Sequence, residues 1–211
     1  MRTSHGSAER EEPVRTVRDE FAKRGHYAVS VDMKPSRTPG LHHQGDLLAF
    51  LDKTQPWDLM IAHPPCTYIA VSGYWRSKRD PNRMLKTHDA IDFFMKVAQH
   101  PNVQAKVIEN PVCIMSTEWR KPDQIIQPYM FGDDASKKTC LWLIGVPPLV
   151  IPDEKDWYPP RMVKQEDGKV LPRWSNQTDS GQNRLPPSAD RAEKRSVTYP
   201  GIARAFAERW G

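Results

Sequence analysis

Two short stretches place chemically active side chains just past apolar runs. In WDLMIAHPPC, residues 57–66, Cys66 follows two prolines. Proline fixes its own φ and cannot continue a strand ladder, so the pair ends the run and holds the thiol rigidly at its exit. In VIENP, residues 107–111, Glu109 and Asn110 end a second run that Pro111 stops. A thiolate is a strong nucleophile, and a carboxylic acid beside it completes what covalent addition to a pyrimidine needs. Sulfur attacks carbon 6, the acid protonates or hydrogen-bonds the ring nitrogen, and carbon 5 becomes nucleophilic enough to take an electrophilic group. Each residue also has a plainer use. A cysteine serves as a small apolar core side chain, and a glutamate at a strand end serves as a structural partner.

The elements that must position these groups alternate in type. Val14, Val17 and Phe21 share one helical face that Gly25 ends. YAVSV, 27–31, reads as a strand ending at Asp32, and KPSRTPG as a loop. Asp46 caps a short helix, LLAFLDK. WDLMIA, VQAKVIEN (103–110) and KTCLWLIG (138–145) read as strands. Residues 74–83, YWRSKRDPNR, read as a mobile basic and aromatic loop, and Met84, His88, Ile91, Met95 and Ala98 mark the helix after it. Such alternation predicts an α/β fold with a mostly parallel sheet. Ligands sit at the carboxyl ends of strands in these sheets, and Asp32, Cys66 and Glu109 all fall there.

The chain of 211 residues has room for one domain with a sizeable core, residues 1–146. From residue 147 to 197 the texture turns irregular, with eight of the 20 prolines between Pro147 and Pro187. Residues 198–211 close the chain as a helix with Pro200 at its start. No apolar stretch reaches the length of a membrane span, and MRTSHGSAEREEP lacks the apolar centre of a secretory signal. Three widely spaced cysteines, Cys66, Cys113 and Cys140, fit reduced thiols in a cytoplasm better than a disulfide framework. His42 and His43 have no third ligand at a suggestive spacing, so no metal site is expected. A zinc deaminase is excluded because no His-x-Glu occurs. The net charge of +5 is compatible with a polyanionic partner but does not specify one.

HPPC followed by ENP resembles the cysteine and glutamate motifs of the DNA cytosine-5 methyltransferases, most closely their small phage- and prophage-encoded members. GLHHQGD, AHPPCTYIAVSG, IQPYMFGDDASKKTCLWL and RSVTYPGIARAFAERWG match that group in order and spacing, over roughly residues 16–211. The resemblance implies a Rossmann-like methyltransferase sheet and methyl transfer from S-adenosylmethionine to carbon 5 of cytosine in DNA. Cys66 would be the nucleophile and Glu109 the acid on the flipped cytosine. Asp32 would hold the cofactor's ribose, Asp46 would approach its adenine, and Pro64 would border the same site. Residues 147–197 would be a DNA-recognition region. Lys137, Lys138, Arg161, Arg173 and Arg184 are the candidate phosphate contacts, and YWRSKR (74–79) is a further basic and aromatic element near Cys66.

Two departures stand out. Thr67 follows Cys66 where larger members usually carry glutamine. Upstream, AEREEPVRTVRDEF occupies the place of the family's first strand and glycine turn, with Pro13, Val14 and Arg15 where small residues belong. Glycine is used there because the backbone must approach the ligand closely. The alternative is therefore a methyltransferase-derived DNA-binding protein that no longer turns over. Against it stands the retention of Cys66, Glu109 and Asp32, for which a binder has little use.

Overall fold

The computed structural model describes residues 17–188 and 191–211. In chain order they form α1 (Val17–Lys23), β1 (Ser30–Asp32), β2 (His42–Gln44), α2 (Leu47–Lys53), β3 (Trp57–Ala62), α3 (Val71–Ser77), α4 (Pro81–Gln99), β4 (Val103–Pro111), α5 (Met115–Glu118), β5 (Gln124–Ile126), β6 (Thr139–Ile144), β7 (Arg161–Lys164), β8 (Val170–Arg173), α6 (Arg191–Ser196) and α7 (Pro200–Trp210). The stretch read as departing from the family's first strand and glycine turn, with Pro13, Val14 and Arg15, lies largely in residues 1–16, outside the described residues, as does Val14 of the first helical face. Among the described residues no helix is long and apolar enough to cross a membrane.

Among the described residues the fold is mixed α/β with three separate sheets. The largest has the order β3-β4-β6-β5. β3 and β4 are parallel, joined by the long crossover through α3 and α4. β6 runs antiparallel to both β4 and β5, so the expectation of a mostly parallel sheet is corrected. The physical reason is the connection. A return to a parallel neighbour needs a crossover, usually a helix, whereas β5 reaches β6 through a loop with one 3-10 turn at Pro128–Phe131. β1 and β2 form a parallel pair of their own, and β7 and β8 an antiparallel hairpin.

Side-chain alternation along the central strands sends neighbours to opposite faces. Ile108, Cys140 and Trp142 pack with Phe94, Val97 and Ala98 of α4. Val107 and Leu141 pack instead with Phe21 of α1 and with Ile202, Phe206 and Ala207 of α7. Burial on both faces is why these strands read as continuous apolar runs.

α2, β3 and α7 occupy the residues their patterns predict. β1 is shorter than expected, starting at Ser30, and Tyr27 is exposed. The expected loop at 74–83 is instead the end of α3 and the start of α4. Tyr74 packs against the core, and the hydroxyl of Thr87 donates to that of Ser77 at 2.9 Å, both buried. Asp80 then caps α4 by accepting from the N–H groups of Asn82 and Arg83, with proline at the first helical position.

Residues 147–188 dock on the loop between β5 and β6 through Tyr129, which stacks on Trp174 at 4.2 Å and touches Trp157. Ser175 and Asn176 bond to Asp134 and Ser136 in the same region. α7 begins against this loop, with the Gly201 N–H donating to Asp133 at 2.9 Å. A Cβ on Gly201 would fall on the Phe131 carbonyl. Gly201→Ala is expected to lower stability by about 1–3 kcal/mol through overpacking. Denaturant unfolding checks this, and an unchanged midpoint would show that α7 is not pressed on that loop.

Candidate functional site

The turn after β3 and the end of β4 form one unit. The last paired residues of the two strands are Ala62 and Ile108, so His63 and Glu109 are next in register. They meet, with His63 Nδ1 2.6 Å from Glu109 Oε2. One residue further on, Asn110 donates from Nδ2 to the Pro64 carbonyl at 2.8 Å. The Cys66 carbonyl accepts from the N–H groups of Ile69 and Ala70, and Ile69 and Val71 bond to Ile114 and Val112 beyond β4. Arg83 of α4 donates to the Thr67 carbonyl at 2.9 Å. The thiol-bearing turn is thus strapped on both sides, and Pro64 is buried inside it.

Glu109 is only 7% exposed. Burial alone would raise its carboxyl, but the hydrogen bond and charge of His63 and the charge of Lys137 outweigh it and hold the group below its ordinary value. It is therefore a carboxylate at neutral pH. The three thiols differ. Cys113 and Cys140 are each 1% exposed. Burial, chiefly, pushes Cys113 up to about 12. Burial and then the Glu109 charge push Cys140 up as well. Cys66 is half-buried and free.

Asp32 and Asp46 come together at a second place. Asp32 pairs with Gln44 across β1 and β2, and the Gly45 N–H donates to the Asp32 carbonyl. Both carboxylates are exposed. One oxygen of Asp32 accepts from the Lys34 N–H, and one of Asp46 caps α2 at the Ala49 N–H. Beside Asp46 a hollow of about 330 Å³ is lined by His43, Phe50, Lys53 and Thr54. Buried Arg18 organises the loop between the strands, donating to Thr38 and Pro39 at 2.7 Å. Gly40 (φ 136°) lets the backbone pass that guanidinium, where a Cβ would collide. This unit shares no ladder hydrogen bonds with the sheet carrying Cys66. Tyr27 and Phe50 join it to β3 by ring contacts with Trp57.

The candidate phosphate contacts divide. Lys137 lies near enough to Glu109 to stabilise its charge, and Lys138 is exposed. Arg161 pairs with Asp179 at 2.7 Å, while Arg173 and Arg184 donate to the Asp179 and Gln177 carbonyls. Those three arginines brace their own loop.

A second cationic surface lies on α3 and α4. Trp75 is 51% exposed, with the guanidinium groups of Arg76 and Arg79 within 5.4 Å of its ring centre. Arg83 and Lys86 flank Tyr68, two residues from Cys66. Tyr68 and Lys86 also line a hollow of about 260 Å³ with Pro65, Asp89, Ala90 and Phe93. The positions of Arg83 and Lys86 and the role of His63 were missed from sequence. Their readable signals were the three-residue spacing of the bases and the coincidence of two strand ends. Among the described residues no group of histidine, cysteine and acidic side chains is arranged to hold a metal.

No family model, curated protein or solved structure matches the chain.

Two outcomes follow from the electrostatics. In the folded protein iodoacetamide should modify Cys66 and spare Cys113 and Cys140, while the unfolded chain takes label at all three, as peptide mass spectrometry would show. Because the Glu109 carboxyl lies below its ordinary 4.5, its stabilising contribution is complete above that value and is lost as pH falls through the lower folded one. Denaturant unfolding between about pH 6 and 3 should show an acid loss that Glu109→Gln reduces.

Proposed function

We propose that the protein transfers a methyl group from S-adenosylmethionine to carbon 5 of cytosine in DNA, through a covalent Cys66 adduct on a Rossmann-like sheet. The observation that carries this reading is the joint delivery of Cys66 and an ionised, buried Glu109 to the same end of parallel neighbours β3 and β4. The resemblance in HPPC and ENP supplies the substrate class. The Cys66 sulfur bonds to carbon 6 of the ring, the displaced electron pair moves toward the ring nitrogen N3, and N3 takes up a proton that reaches it by way of Glu109. Carbon 5 is then the nucleophilic atom. When bound, S-adenosylmethionine supplies an electrophilic methyl group. Afterwards a base takes the carbon 5 proton, its electron pair re-forms the C5–C6 double bond, the Cys66 thiolate is expelled and N3 gives its proton back.

Asp32 and Asp46 fit the cofactor's ribose hydroxyls and adenine, since each is an exposed carboxylate with one oxygen already fixed by a backbone N–H. The basic and aromatic face of α3 and α4 suits a DNA backbone beside the thiol, with Trp75 available to stack on a base. Lys137, close to Glu109, and Lys138, Arg161, Arg173 and Arg184 add further positive charge. A cytoplasm, which keeps thiols reduced, suits this chemistry.

A second reading, a DNA-binding descendant without turnover, is favoured by one observation. β1 and β2, which position Asp32 and Asp46, form a ladder only with each other, apart from the sheet whose strand ends carry Cys66 and Glu109.

Calorimetric titration with S-adenosylmethionine and its demethylated product separates the two. The enzyme reading expects micromolar binding that Asp32→Ala weakens about tenfold or more, the equivalent of ~1.4 kcal/mol. It also expects Cys66→Ala to abolish methyl transfer, and ordinary transfer in that variant would sink the mechanism. No cofactor binding with or without DNA, combined with retained DNA binding, would establish the second reading. For the DNA surface, Arg76→Ala and Arg79→Ala should each reduce the salt dependence of binding by about 0.9 in the log–log slope.

A further inference from the structure

Addition of a thiolate to a neutral pyrimidine leaves negative charge on the ring unless N3 gains a proton. The usual provider is a carboxylic acid, but Glu109 is held as a carboxylate and has none to give. An ionised carboxylate only accepts, so in its 2.6 Å contact the donor is His63 Nδ1–H. Among the described residues, the other groups that act on or adjoin Glu109 are unsuited. Lys137 acts on it through charge, with no hydrogen bond between them. Cys140 lies on β6 beside Asn110 in register, and its thiol is buried and raised. Asn110 has committed its amide to the Pro64 carbonyl.

We propose that His63 is the proton carrier of this site. It acts through Glu109, passing it the proton that N3 takes up when Cys66 adds and recovering it when the thiol leaves. This rests on the reading of Cys66 and Glu109 given above. The step balances. A sulfur–carbon bond forms at carbon 6, the ring electrons shift to N3, the Nδ1–H bond breaks and an N3–H bond forms through the carboxylate. Thiolate and imidazolium charges vanish together and Glu109 ends as it began. Elimination reverses each transfer.

The placement suits that role. The side chain of Glu109 is 8% exposed and that of His63 36%, so the imidazole connects a buried carboxylate to solvent, from which a proton can be restored. Two prolines fix the backbone between His63 and Cys66, so donor and nucleophile keep a set separation.

The test is tritium release from random-sequence duplex DNA labelled at carbon 5 of every cytosine, with S-adenosylmethionine present, as a function of pH. Wild type, His63→Asn and Cys66→Ala are compared. Asparagine can place an amide N–H where Nδ1 sits, retaining the hydrogen bond without a transferable proton. The expected result is a loss of about 10²–10⁴-fold in His63→Asn, the range for one general acid. The dependence of the wild-type rate on pH should change with it. A His63→Asn rate and pH profile equal to wild type, with Cys66→Ala dead, would overturn the His63 role alone. No release by wild type would overturn the methyl-transfer reading and this inference together. If His63→Asn fails to fold, ¹⁵N NMR titration of the wild-type ring decides. A protonated Nδ1 while Glu109 is ionised supports the proposal, and an unprotonated one refutes it.

Discussion

The parallel pairing of β3 with β4 is the constraint on which the site depends. Its register, ending at Ala62 and Ile108, makes His63 and Glu109 neighbours and sets Pro64 against Asn110. A slip of one residue would turn Glu109 to the other face and separate the carboxylate from both imidazole and thiol turn. The α4 crossover enforces the register, because Phe94 and Val97 are fully buried against Ile108 and Trp142. The largest hydrophobic side chains therefore hold the smallest polar contacts in place.

Electrostatics then divides labour among groups of similar chemistry. Three thiols lie around one end of the sheet, yet burial keeps Cys113 and Cys140 neutral, and only Cys66 is both free and half-exposed. Glu109 is buried like those two thiols but moves in the opposite direction, because it has a hydrogen-bonded imidazole and a nearby lysine. The same low dielectric that penalises an isolated charge strengthens a paired one. In the proposed reaction that pairing preserves the carboxylate and also leaves it without a proton of its own.

The basic side chains divide similarly. Arg161, Arg173 and Arg184 brace the segment between β7 and α6, which has a single buried apolar residue in its hairpin, Val163. Those of α3 and α4 lie over aromatic rings next to the Cys66 turn. A guanidinium on an aromatic face keeps its charge for a further partner while losing mobility, so this surface is preorganised where the loop arginines are already employed.

Much of this was legible in the chain itself. The prolines after Ala62, the cap at Asp46 and the apolar runs of β3, β4 and β6 are local signals, and the structure places those elements where the signals put them. α3 was misread because YWRSKR looks polar in isolation; only the packing of Tyr74 and the Ser77–Thr87 hydrogen bond make it a helix. The direction of β6 was not readable either, since a buried strand carries the same apolar run in either orientation. Residue types and spacing determined which side chains could act as nucleophile and acid. Tertiary structure alone decided that His63 would meet Glu109, because that contact depends on the register between strands whose residues lie 46 positions apart in the chain.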